Sequence, residues 1–494
     1  MAPTPPHATT SYTSTTRLDP SHRTQSRSLE HTPPLMGAMA RSPLGLLLLL
    51  SLCSATALAS YSYVESGEGG RSGSGRPYHF GEESFRHWSR SRQGRFRVLG
   101  RFTHELLEDA VGNYRVAELE AAPRAFLQPS HYDADEVMFV KEGEGVVVLL
   151  ARGKRESFCV KEGDVLVIPA GAVVYSANTQ QNKWFRVVML LNPVSTKGRF
   201  EEFFPIGGES PESFFSVFSD DVLQAAFNTR REEWEQVFEK QSKGEITTAS
   251  EEQIRELSKS CSRGGRHGGG ESIWDIKPSS LTGKKPSHSN NHGRHYEITG
   301  DDCPQLRALD IEVGLANISR GSMMAPSYST HANKVAIVLE GNGYFEMACP
   351  HLSSDSGRSS PRRREREHGS SREWGREEEE EGREEQEGGQ TKSRGYKQVR
   401  SRISEGSVIV IPAGHPVTLV AGDDKNLAVL CFGVNAQHDE KVFLAGSNGL
   451  LRQMDEQAKA LAFGAEKEKV DRVIGAQSDA VFLRGPSSRR VASE

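Results

Sequence analysis

Apolar positions along this 494-residue chain fall into two kinds of pattern, and the two alternate twice. Between about Phe96 and Asn192 the short β-branched runs YRVAELEA, DEVMFVKEG, GVVVLLA, DVLVIPAG and WFRVVMLLN are separated by Gly or polar turns. Such a series predicts an all-β barrel or sandwich. In the next stretch Phe214, Phe218, Val222, Leu223, Ala226 and Phe227 recur at three- and four-residue spacing, and Trp234, Val237 and Phe238 continue the stripe. This is a helical arm, and its apolar face needs a partner. The order then repeats. Strand-like runs LRALDIEVGLANIS, KVAIVLEG, GYFEMAC, SVIVIPAG and LAVLCFGV occupy about Leu309 to Val434, and a second arm follows through Leu450, Leu451, Met454, Ala458, Leu461 and Ala462, then Val470, Val473 and Ile474. Ser219-Asp220 and Ser447-Asn448 offer N-cap chemistry before the two arms.

The duplication is also visible at the level of a motif. Gly163 opens GDVLVIPAGAVVYSAN and Gly406 opens GSVIVIPAGHPVTLVA, so VIPAG recurs at 167–171 and 410–414. An apolar strand running into a tight Pro/Gly turn can return carrying an inward-pointing side chain. The pattern resembles the second motif of the cupin family, in which a metal-binding His stands three residues after the second Gly. Here that place holds Val174 in the first copy and Val417 in the second. The first cupin motif, anchored on Gly143 and Gly341 and counted with a four-residue spacing, falls on Pro129, His131 and Glu136, and on Ser327, Ser329 and Lys334. Catalytic cupins hold a metal with three imidazoles and a carboxylate, leaving open positions for substrate. Neither half carries that set. His131 and Glu136 read as a polar pair at a strand edge, and an oxidase, dioxygenase or isomerase would need several ligands that are absent together.

Only 20 residues separate Gly143 from Gly163, whereas 65 separate Gly341 from Gly406. The surplus is a charged stretch between His351 and Arg402, Arg-rich at its start and Glu-rich from Glu377 to Glu387. Its composition has too little apolar surface to offset ordering entropy and predicts a disordered insertion at 353–395. Its basic and acidic residues nearly cancel and its aromatics are limited to Trp374 and Tyr396, which argues against nucleic-acid binding. A net charge of −5 over the chain likewise favours neither nucleic acid nor an anionic membrane as partner.

A secretory signal is predicted away from residue 1: Met39 and Arg41 precede the apolar core LGLLLLLSLCSATAL, which ends in Ala57-Leu58-Ala59. The core is too short for a membrane span. Residues 1–38 form a polar extension, and translation is expected to start at Met36 or Met39. In an oxidising compartment Cys261 and Cys303, which flank a Gly/Ser/His/Lys-rich linker, are candidates to close a loop across it. Cys159 and Cys431 lie in apolar runs and read as buried thiols. Asn317-Ile318-Ser319 is an N-glycosylation sequon.

Two such barrels, each with a helical arm, a signal and a Glu/Arg-rich insertion, resemble the vicilin-type 7S seed storage globulins. APSYSTHANKVAIVLEG and GYFEMACPH are similar to the cereal embryo globulins of that group. The resemblance implies an all-β fold of two tandem cupin (jelly-roll) barrels, each followed by a helical arm. It implies a non-enzymatic nutrient reservoir, homotrimeric through its arms, delivered by the secretory pathway to the protein storage vacuole and degraded on germination. The expected organisation is a signal peptide at 39–59, a polar segment at 60–95, a first barrel with arm at 96–257 and a linker at 258–295. A second barrel with arm at 296–485 and a tail at 486–494 complete it. No cofactor is required. Some members of the group keep a metal in the second barrel through a Cys and a motif-two His, a reading that falls here on Cys349 and His415, with His331 and His351 nearby, and would suit Cu or Zn. Val417 stands where that turn would supply another His.

Overall fold

The computed structural model describes residues 77–486, apart from positions 152, 209, 239, 242, 260, 262–275 and 351–394. The expected signal peptide and nearly all of the charged insertion lie outside the described residues. Each repeat folds into two facing antiparallel sheets. In the first barrel one sheet runs Ser279–Ser280, Asp164–Ile168, Ala134–Glu142, Phe185–Pro193, Arg115–Ala121, Gly94–Leu99 and Phe85–Arg90. The facing sheet is built on Ala125–Tyr132, Val173–Asn178, Glu144–Ala151 and Lys154–Lys161, with Glu202–Phe203 and Ile246–Thr248 paired to the first of these. The second barrel repeats the order: His79–Phe80, Val408–Ile411, Asn333–Glu340, Leu427–Val434, Ile311–Ile318, Gly293–Ile298 and His288–Asn290. Its facing sheet contains Lys397–Ser404, Asn342–Cys349, Val417–Ala421, Ser322–Met324 and Phe482–Arg484. The all-β, two-barrel reading of the sequence therefore holds.

The two barrels exchange edge strands. His79–Phe80, ahead of the first barrel, pairs with Val408 and Ile409 of the second, while Ser279–Ser280, ahead of the second, pairs with Asp164 and Val165 of the first. Tyr78 and Leu281, beside these strands, are fully buried in one core that includes Val137, Phe139 and Val188 of the first barrel and Val335, Ile337 and Val410 of the second. Met138, Val140, Val187 and Met189 alternate with those first-barrel residues and point into the barrel's own core. Both faces of this sheet are covered, so its strands read as continuous apolar runs rather than as alternating ones.

The segments expected to be a polar N-terminal stretch and a linker are thus partly built into the sheets. Glu251–Lys259 is a helix, and Ile276 is buried in the first barrel's core. Short polar strands have no apolar period to announce them, and backbone pairing with an edge is what orders them.

The repeated turn has the same anchoring in both copies. Gly171 and Gly414 each sit at φ +75°, where a side chain would be strained, and their N–H groups donate to Tyr132 O and Ser329 O at 2.8 Å. The preceding residues, Ala170 and Ala413, donate to the side chains of Asp135 and Asn333, each at 3.0 Å. Asn178, the last residue of the first-copy motif, is fully buried and donates from Nδ2 to Ala121, Ala122 and Lys183 carbonyls.

Each arm is two short helices instead of one continuous stripe. Asp220–Phe227 and Arg231–Phe238 are divided at Asn228 (φ 49°), and Glu456–Phe463 and Lys467–Gly475 at Gly464 (φ 54°). Left-handed residues end a helix by turning the chain out of its axis. Ser219 takes the expected N-cap place, whereas in the second arm that place before the first α-helix falls to Asp455, after a 3-10 turn at Leu450–Gln453; neither side chain makes a capping hydrogen bond.

Candidate functional site

The barrel interiors are where a fold of this kind places chemistry, and strand register fixes which side chains reach them. Val174 lies opposite Ser130, and Val417 opposite Ser327. Glu136 pairs with Ile168 and Leu191, while Lys334 pairs with Ile411 and Gly433, so Glu136 and Lys334 occupy equivalent places. The second-copy reading, Ser327, Ser329 and Lys334, agrees with this register. In the first copy the four-residue spacing is off by one: Ser130 and Tyr132 line the interior with Glu136, and His131 faces away. The His131 ring stacks on Phe203 with centroids 4.9 Å apart, and burial lowers its pKa. The spacing alone allows three or four residues; strand alternation decides.

The first barrel encloses a cavity of about 70 Å³ lined by Ser130, Tyr132, Glu136, Glu202 and Glu245 on its polar side. Ser130 Oγ donates to Glu202 Oε1 at 2.7 Å, and the Tyr132 hydroxyl also hydrogen-bonds Glu202. Burial pushes Glu136 up to about 7. Burial, then the neighbouring Glu245 carboxylate, push Glu202 up to about 8. Glu245 is raised by burial as well, with Ser89 partly offsetting it. Glu202 and Glu245 come from polar segments between the barrel and the arm and after it, which no motif singles out.

In the second barrel the charge at the same position is reversed and satisfied. Lys334 is ion-paired with Glu312 and donates to Asp439 Oδ2 at 2.9 Å. Burial opposes its charge, but the Glu312 and Asp439 carboxylates hold its pKa above the usual lysine range. Nearby His295 is pushed down to about 3 by burial and by the Lys441 and His288 charges. It borders a cleft of about 470 Å³ with His288 and Lys441.

Cys349 and His415 are both buried in the second barrel, and the structure adds a residue that sequence spacing did not suggest, Tyr78. Tyr78 lies beside Cys349, and its ring lies 6.1 Å from that of His415. Burial raises the Cys349 thiol to about 11. His415 Nδ1 donates to Ala413 O at 3.1 Å, which leaves Nε2 as the acceptor nitrogen of the ring. His331 is exposed and contacts Thr330, and His351 lies outside the described residues. Among the described residues no group of three or more His, Cys, Asp or Glu is arranged to hold a metal ion.

The Cys261–Cys303 pairing is corrected. Cys261 is bonded to Cys159, with Cα atoms 5.1 Å apart. The helix Glu251–Lys259 packs Ile254 and Leu257 against Val146, Val148 and Ala177 of the outer sheet, which brings Cys261, two residues beyond the helix, onto the strand carrying Cys159. Cys303 is a buried free thiol in the inter-barrel core, beside Gln305, and Cys431 is also unbridged. Asn317 is exposed on the strand Ile311–Ile318.

The arms present apolar side chains to solvent. Val222 is 51 % exposed, Val237 68 %, Leu461 87 % and Val473 68 %. Leu223 and Trp234 are instead buried, and Phe215 packs edge-on against Phe227 and Phe238 at 5.4 and 5.3 Å within the first arm. No helix among the described residues is long and apolar enough to cross a membrane.

Comparison with known proteins agrees with this architecture. The Cupin family model matches residues 110–235 and 279–471. The chain is 63 % identical over 470 residues to Cupincin of Oryza sativa subsp. indica, covering 92 % of this chain and 98 % of that protein. It is 45 % identical over 421 residues to Globulin-1 S allele of Zea mays, covering 83 % and 71 %. The crystal structure of vicilin from Corylus avellana superposes with a TM-score of 0.70 at 40 % identity, over 83 % of this chain and all of that one.

Proposed function

The chain belongs to the cupin family and, within it, to the vicilin-type 7S seed storage globulins, and we propose that it is a non-enzymatic nutrient reservoir that works as a homotrimer. The observation that carries this reading is the side-chain content of the two barrels. The positions at which cupin enzymes assemble a metal shell hold Ser130, Tyr132, Glu136 and Val174 in one barrel and Ser327, Ser329, Lys334 and Val417 in the other. Imidazole is missing from every one of them, and Lys334 brings a positive charge to where the carboxylate ligand would stand.

What remains is suited to dense, durable packing. The exposed apolar faces of the arms are surfaces for neighbouring subunits, since contiguous apolar groups left in water favour association. Entry through a signal at 39–59 and accumulation in the protein storage vacuole fit a disulfide-bonded chain with an exposed sequon at Asn317. The insertion at 353–395 supplies nitrogen-rich side chains and a segment for proteases to cut on germination.

A second reading, a Cu or Zn site in the second barrel, is favoured by the convergence of Tyr78, Cys349 and His415. A thiolate, an imidazole and a phenol in a buried setting fit a soft or borderline ion, which would hold the thiol deprotonated. Elemental analysis of the purified mature protein separates the readings. Storage alone predicts no stoichiometric transition metal. About one Cu or Zn per chain, lost in Cys349→Ser, would establish the metal site.

A further inference from the structure

We propose that the first barrel's cavity binds a small organic cation of the alkylammonium class, with its ammonium on Glu136 and Glu202 and its alkyl chain against the apolar wall. The proposal is independent of the storage reading. It starts from the contrast between the two barrels. At one position the second barrel carries Lys334, paired with Glu312 and Asp439, so the charge is balanced from within the chain. The first barrel carries Glu136 at that position, 4 % exposed and lining the cavity, with no hydrogen-bond partner among the described residues.

The groups facing Glu136 deepen the imbalance. The other ionisable side chains lining the cavity are Tyr132, Tyr175, Glu202 and Glu245, from four different segments, and no cationic side chain lines it. Glu202 has the Ser130 and Tyr132 hydroxyls, which donate to it without neutralising it. Buried carboxyls are retained in proteins when they are paired or when they serve a ligand, because an isolated buried charge is strongly disfavoured.

The rest of the wall selects the kind of cation. Phe96, Leu119, Val147 and Phe185 offer only carbon and ring faces to a ligand, with no donor atom for a bare metal ion. An ammonium on a short alkyl chain satisfies both sides at once, and aromatic rings favour such cations further. A volume of about 70 Å³ accommodates a short chain and excludes a large ligand.

The test is calorimetric titration of the full chain with n-butylammonium chloride at pH 8 and pH 5, with n-butanol and sodium butyrate as neutral and anionic counterparts. The expected result is saturable binding of butylammonium at pH 8 and weaker binding at pH 5, where the carboxyls are protonated. Glu136→Gln and Glu202→Gln should each weaken binding by roughly tenfold or more, the scale for removing one partner of a buried charge pair. Thermal melting of both variants at pH 8 at or above the wild-type temperature would show that loss of binding is not loss of fold. The proposal is overturned if butylammonium does not bind at pH 8, if butanol or butyrate binds as tightly, or if both variants retain wild-type affinity.

Discussion

Replacing Glu136 by glutamine removes one buried ionisation while keeping the shape of the side chain, and its effect on stability must depend on pH. The carboxyl's pKa rises from an ordinary 4.5 to about 7 because burial disfavours its charged form. Between those values the folded chain holds a proton that the unfolded chain has released, so stability falls as pH rises through that window. Below about pH 4 both states are protonated and the group contributes nothing. At 1.36 kcal/mol per pH unit, the ionised carboxylate destabilises the fold by on the order of 3 kcal/mol above pH 7. Glutamine is neutral throughout, and no described hydrogen bond is lost with the carboxyl. Glu136→Gln should therefore match wild type at pH 4 and exceed it by about 2–3 kcal/mol at pH 8. Urea unfolding of both proteins at the two pH values, without added amine, reads this directly. An equal difference at both pH values, or a variant less stable at pH 8, would refute the reasoning.

Other perturbations test other parts of the account. Lys334→Met should destabilise the second barrel by about 3 kcal/mol at neutral pH, because Asp439 and Glu312 are left facing each other without their cation, and urea midpoints will show it. Cys159→Ser should cost about 2–4 kcal/mol, since the bond joins residues 102 apart in sequence; a reductant should lower the wild-type melting temperature and leave the variant's unchanged. Deleting 353–395 should leave the melting temperature and the assembled mass unaltered, as the composition of that segment has too few apolar residues to build a core; calorimetry with light scattering checks both.

Much of the fold was legible in the sequence because burial wrote it there. The VIPAG repeat marks the same glycine turn twice, and the runs DEVMFVKEG and KVAIVLEG are strands of the doubly covered sheets. The absent ligands were visible as Val174, Val417, Ser327, Ser329 and Lys334. The first copy's register was not, since a motif with a variable gap cannot tell Ser130 and Tyr132 from Pro129 and His131. The alternation of the strand settles that only once its paired partner is known. Glu202 and Glu245 were invisible because they come from polar segments that only the closed barrel brings together. The disulfide was misassigned for a similar reason: Cys159 reads as an apolar strand residue until the helix Glu251–Lys259 packs over it. Tyr78 and the strands beside it and beside Leu281 are too short to carry a period, and their places are set by the opposite barrel's edge.

Assembly through the arms is the central structural claim, and it is tested most directly by the mass in solution of a chain carrying Val222→Asp and Leu461→Asp. Both side chains are exposed in the single chain, so the charges should leave each barrel folded. Leu223, buried within the arm itself, would not allow that separation. Size-exclusion chromatography with light scattering should give three chain masses for wild type and one for the variant, with unchanged circular dichroism. A folded variant that still weighs three chains, or a wild type that weighs one, would contradict the account.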